Sequence, residues 1–243
     1  MFEPRTYRKF MTASDLETFE VRVEETDLQI AAERDLSGAA LSAIHRIRGM
    51  LEHFLEGHPK FGTTLDPFPE CNRSWPREIQ AMIRAGRAAG TGPMSAVAGC
   101  VAEYVGKALL GETEQVIVEN GGDLFLVSNV ERTLAIYAGD DNPLSMQRGL
   151  RIRPELTPLG ICTSSGTVGH SLSLGLADAA VVLAEDTALA DAVATSTGNM
   201  VARREDVDPA LDWALSVPGV LGCAVVLGET LGARGDGIDL VEL

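Results

Sequence analysis

Residues 115–127 read Gln-Val-Ile-Val-Glu-Asn-Gly-Gly-Asp-Leu-Phe-Leu-Val, and this stretch decides the fold class. Two short apolar runs, 115–119 and 124–127, flank Asn120-Gly121-Gly122-Asp123. Asn-Gly between two such runs is among the strongest local signals for a β-hairpin. The glycines permit positive φ and leave backbone N–H groups open, while Asn120 and Asp123 set polar groups at the strand ends.

Working outward, residues 17–32 form a second hairpin by period-two alternation: Phe19, Val21 and Val23, a Glu-Glu-Thr-Asp turn, then Leu28 and Ile30. Leu41, Ile44, Ile47, Met50, Leu51, Phe54 and Leu55 recur at helical spacing and predict a helix over 36–55, ended by Gly57 and Pro59. Residues 57–76, dense in proline and glycine, predict a loop crossing the surface, and 76–89 a shorter helix. Pro93 suits the first turn of a helix over 93–110, with Gly111 as its C-cap. Downstream, strands are expected at 134–137, 159–163, 179–183, 222–227 and 238–240. Helices are expected at 187–197, capped by Gly198-Asn199, and near 208–215. Strands and helices mix without strict βαβ alternation, so the expected class is α+β with a mainly antiparallel sheet packed with helices. No sequence repeat and no linker divides residues 1–243, which are expected to form a single domain.

Composition narrows the function. The 243 residues are 45% hydrophobic and 23% charged, ordinary for a folded protein. A formal charge of −15 repels phosphate backbones and anionic membranes, which argues against nucleic-acid and membrane partners. An anionic small molecule would then need a local device, such as a helix N-terminus, backbone N–H groups or a metal. Cys71, Cys100, Cys162 and Cys223 are scattered without metal-ligand spacing, and are expected to be free, mainly buried thiols. Residues 1–11 hold no apolar core of a signal peptide, so a reducing, cytoplasmic location is expected.

Three segments carry the candidate chemistry. The first is the turn Gly121, Gly122, Asp123. The second is Thr163-Ser164-Ser165-Gly166-Thr167, read as a loop of donors suited to phosphate or ribose oxygens, with His170 as a donor or proton carrier. The third is the helical Ala190-Asp191-Ala192-Val193-Ala194-Thr195, where i,i+4 spacing puts Asp191 and Thr195 on one face among alanines. One carboxylate and one hydroxyl fit magnesium, which completes its shell with water and phosphates.

The order of these segments, with Ser95-Ala96-Val97-Ala98-Gly99 on the preceding helix, resembles the ApbE flavin transferases. There, G-G-D, T-S-G and A-D-A-L-A-T motifs follow an alanine-bearing helix. The likeness spans roughly 15–200 and is greatest to the cytoplasmic, uncharacterised branch of that superfamily. It implies an ApbE-like, T-fold-related fold that binds FAD. It also implies magnesium on Asp191, Thr195 and a backbone oxygen of Ala98. The chain departs from the pattern: the family's Lys and Tyr are absent near Gly99 and Cys100, Glu103 stands near the position of an aspartate, and no Asp-Pro follows His170.

The expected function is therefore binding of a flavin or related nucleotide, with magnesium-dependent transfer or pyrophosphate hydrolysis. Two alternatives stand beside it. One is a binding module that lacks the chemistry. The other is a T-fold enzyme whose buried Glu119 anchors a pterin-like heterocycle. A small-molecule ligand is the expected partner, and a homodimer is left open.

Overall fold

Alternation along the strands sorts the apolar side chains into two layers. The computed structural model describes residue 8 and residues 13–167 and 174–243. In chain order, β1 (Glu17–Val23) and β2 (Thr26–Ala32) precede α1 (Ser37–Gly57), α2 (Arg77–Ala89) and α3 (Val97–Leu109). Six strands follow: β3 (Val116–Asn120), β4 (Asp123–Val127), β5 (Arg132–Ala135), β6 (Arg148–Ile152), β7 (Leu159–Ser164) and β8 (Ala179–Ala184). Then come α4 (Thr187–Met200), α5 (Val207–Ser216), β9 (Val220–Leu227), β10 (Thr230–Arg234) and β11 (Leu240–Glu242).

The larger sheet runs β1-β2-β3-β4-β7-β8-β9-β10 with every neighbouring pair antiparallel. Val116, Val118, Phe125, Cys162, Val182 and Val225 point to one face and join the core of the five helices. Ile117, Leu126, Ile161, Val181 and Ala224 point to the other, where Leu150 and Ile152 of the small sheet β11-β6-β5 cover them. With both faces covered, β8 is buried throughout and its sequence, AAVVLA, is apolar without a break. Phe125 is fully buried between sheet and α3. Its truncation to Ala would cost about 3–5 kcal/mol.

A structural repeat underlies this sheet. β1-β2, three helices and β3-β4 make one unit, and β7-β8, two helices and β9-β10 make another in the same order. The units join where β4 pairs with β7.

Several boundaries differ from expectation. The helix expected over 93–110 opens as a 3-10 turn at Pro93–Ala96 and ends at Leu109, short of Gly111. Helix α4 continues through Gly198-Asn199 to Met200, because it is packed on several sides against β7, β8, α2 and α3. Residues 57–76 are not wholly superficial: Phe61 and Phe68 are buried, in edge contact with each other and through Phe54 and Trp75 with α1. β5 begins two residues before its expected start, the last strand is Leu240–Glu242 rather than 238–240, and β6 and β10 were not anticipated. All four cysteines are free, with Cys71 exposed and the other three buried. No helix among the described residues is long and apolar enough to cross a membrane.

Candidate functional site

The seam between the two units is where the polar motifs meet. Asn120 and Asp123 are cross-strand partners in the β3–β4 hairpin, and Gly121 (φ 70°) and Gly122 (φ 103°) make its two-residue turn. Positive φ at both central positions is what a type I′ turn requires, and glycine adopts it at least cost. Asp123 pairs in register with Cys162 on β7, and the parity of Phe125 and Cys162 turns both side chains toward the helices.

On that face Asp191 of α4 closes the site. It is nearly buried, and its Oδ2 accepts the amide of Gly99 at 2.8 Å, in the first turn of α3. The position of Gly99 is close-packed: a Cβ there would fall 2.5 Å from the carbonyl oxygen of Thr187 and 2.9 Å from Cβ of Asp191. Asn120 ties the turn to the same helix end by donating from Nδ2 to the Ala98 carbonyl at 3.0 Å. Glu103 accepts the Thr187 amide at 2.8 Å and so caps α4 from α3.

The electrostatics of this site follow from burial. Asp123 Oδ1 is buried and has no hydrogen-bond partner. Burial first, and then the charge of Asp191, push the Asp123 carboxyl well above the ordinary range, while the Cys162 thiol and the Thr163 amide act the other way. Burial also pushes Asp191 up to about 7 against the pull of the Gly99 and Ala98 amides. The Cys162 thiol is raised by burial and by Asp123 beside it. Among the described residues no arginine or lysine forms an ion pair with Asp123 or Asp191. Burial of both groups, and for Asp123 the charge of Asp191, favour the protonated carboxyl.

The expected site residues divide accordingly. The structure brings together Gly121, Gly122, Asp123, Ala98 and Asp191. Thr195, one turn along α4 from Asp191, is half-buried. Strand β7 takes in Thr163, as expected, and also Ser164, expected in the loop; alternation turns Ser164 toward α4, against Gly198, and Thr163 to the opposite face. The loop proper begins at Ser165, whose Oγ accepts the Thr167 amide at 3.1 Å; Gly166 donates its amide to Ala177 at 2.8 Å. Thr167 in turn donates to Asp178 at 3.0 Å. His170 lies outside the described residues. The Ala98 oxygen, expected to face a metal, already accepts from Asn120. Sequence reasoning expected Asp123 and Asp191 at one pocket but missed Asn120 as the brace on α3, because that contact depends on how the hairpin packs against the helix.

Among the described residues no three of His, Cys, Asp and Glu converge as a ready-made metal cluster. The two carboxylates, with the orphaned Asp123 Oδ1, nevertheless fit a magnesium ion that takes few protein ligands.

Solved structures define the class. The apo flavinyl transferase ApbE of Pseudomonas stutzeri superposes with a TM-score of 0.59 over 90% of this chain and 94% of that one, at 15% identity. The flavin transferase ApbE of Vibrio cholerae gives 0.58 over 90% and 97%, at 13% identity. The fold is thus the ApbE-like α+β fold. A UPF0280 protein of Methanoculleus marisnigri is 41% identical over 222 residues, 90% of this chain and 88% of its own. Residues 8–217 match the family described as AbpE bacteria, and the chain belongs to that family.

Proposed function

We propose that this protein binds a flavin or related nucleotide through its diphosphate, with magnesium held at Asp191 and Asp123, and promotes transfer or hydrolysis at the pyrophosphate bond. The observation that carries this reading is the buried pair Asp123 and Asp191, whose charge no described cation offsets and whose Oδ1 on Asp123 has no partner. Bound magnesium would supply Lewis-acid polarisation and offset phosphate charge in a protein of net charge −15. The chain's own part is positional. The Gly121 and Gly122 turn brings backbone close to a ligand, Asn120 ties it to the N-terminal turn of α3, and Asp191 bonds the same helix end from α4. Ser165 and Thr167 are the proposed donors to further ligand oxygens. Thr195 offers a hydroxyl on the face of α4 that carries Asp191, and Ala98 a second lone pair on a carbonyl that Asn120 already uses. His170 is the proposed proton donor. A cytoplasmic location accords with the four free thiols.

The melting temperature of wild type and Asp191→Asn with FAD, with and without magnesium, tests the reading. Magnesium is expected to add to stabilisation by FAD in wild type and not in the variant. No magnesium-dependent gain in wild type across flavins and nucleotides, or equal gains in both proteins, would sink it.

A second reading, a binding module without turnover, draws on the bond from Asp191 to the Gly99 amide, which gives Asp191 a purely structural use as a helix cap. Release of FMN and AMP from FAD separates the two. The pterin reading loses its anchor: Glu119 Oε2 accepts from Arg8 at 2.7 Å and Oε1 accepts the Gly122 amide at 2.8 Å, so both oxygens are engaged.

A further inference from the structure

The two central residues of the turn that carries Asp123 have no side chains to hold it. Two adjacent glycines give it the greatest backbone freedom available to a chain, so its position is set by what grips it from either face. On the helix face the grip is Asn120 on Ala98. On the other face it is Glu119, whose Oε1 accepts the Gly122 amide at 2.8 Å.

Glu119 is itself held. It is fully buried, and Arg8, nearly buried, donates from Nε to its Oε2 at 2.7 Å. The same guanidinium donates from Nη1 to Oδ1 of Asp27 at 2.8 Å and from Nη2 to the Asp27 carbonyl at 2.8 Å. Asp27 lies on β2 and Glu119 on β3, so one planar fork spans two neighbouring strands directly below the turn.

We propose that Arg8 is a positioning residue: through Glu119 it fixes the Gly122 amide, and with it the turn that presents Asp123 to Asp191. The geometric part of this inference stands alone, and only its consequence for ligand rests on the function proposed above. Lysine at this position keeps the charge but cannot bridge three acceptors with a rigid fork.

The experiment compares amide hydrogen exchange at Gly122 in the full chain for wild type, Arg8→Gln and Arg8→Lys, with β8 and β9 amides as internal reference. Exchange at Gly122 is expected to quicken at least tenfold in Arg8→Gln and less in Arg8→Lys, beyond any change in the reference strands. Affinity for FAD with magnesium, read by flavin fluorescence, is expected to fall at least tenfold in Arg8→Gln and to recover partly in Arg8→Lys. Unchanged protection at Gly122, or a uniform rise at every amide, overturns the proposal. A loosened turn with undiminished FAD affinity overturns its consequence for ligand. Should Arg8→Gln fail to fold, Arg8→Lys and Glu119→Gln carry the same comparison. If wild type binds no flavin or nucleotide, the proposed function fails, while exchange at Gly122 still decides the hold of Arg8 on the turn.

Discussion

Below the Asn120–Asp123 turn, on the face shared with Ile117, Glu119 and Asp27 are buried around the guanidinium of Arg8. Above it, on the face shared with Phe125, Asp123 and Asp191 are buried with no described arginine or lysine paired to either. One hairpin thus holds two acidic pairs in opposite ways. Burying a carboxylate costs several kcal/mol unless an opposite charge and hydrogen bonds offset it. The lower pair carries its offset within the chain and braces the turn. The upper pair has no such offset among the described residues, and the proposed function assigns it to a bound cation.

The largest test of this contrast is to take away the internal cation. Arg8→Gln should lower global stability by about 3–5 kcal/mol, read from urea denaturation, because it takes the buried cation from Glu119 and leaves Asp27 the exposed Arg22 at 3.2 Å. A loss below about 1 kcal/mol would erase the difference between the two faces. The upper pair should respond with the opposite sign. Asp123→Asn should raise the stability of the metal-free protein at pH 8 by about 1–3 kcal/mol, the order of one unmet buried polar group. The same change should remove any gain from magnesium with nucleotide. A destabilised metal-free variant would show that Asp123 is already satisfied.

A pH series sharpens the point. Burial pushes Asp191 up to about 7 from an ordinary 3.8, so the fold favours its protonated form. That contribution is complete below 3.8 and is lost as pH rises through 7, so metal-free stability should decline across this window. Asp123, raised in the same direction, adds to the decline, and Asp191→Asn should flatten it. A denaturation midpoint that climbs between those limits in wild type, and equally in the variant, would contradict the assignment. The smallest effect belongs to the exposed pairs that serve as a baseline. Arg234 bonds Asp208 at 2.7 Å at the surface. Arg234→Ala should cost less than about 1 kcal/mol and vanish in high salt, as measured by the shift in denaturation midpoint with and without added salt.

How far these features were legible depends on the range of the interaction behind each. The Asn-Gly-Gly-Asp turn was readable because type I′ chemistry is local. So was α1, whose apolar positions recur at helical spacing. The strands β6 and β10 were not, because Arg148-Gly-Leu-Arg-Ile and Thr230-Leu-Gly-Ala-Arg mix charge and glycine with few apolar residues. Only a sheet laid over Leu126 and Ile161 makes Leu150 and Ile152 core. Ser164 looked like loop because small hydroxylated residues favour turns, yet pairing with Ala180 of β8 holds it in β7 and turns it toward the helices.

By itself the sequence determined the class of fold, through the hairpin turns, the helical stripes and the lack of βαβ alternation. It also determined that an aspartate would stand at a glycine turn and another on an alanine-rich helix. Tertiary structure alone decided which acids would be answered. Arg8 reaches Glu119 across 111 residues, and Asp191 reaches Gly99 across 92, while nothing in the described chain reaches Asp123 Oδ1. Charge compensation in a low-dielectric interior acts over a few ångströms, and only the fold determines which residues come that near.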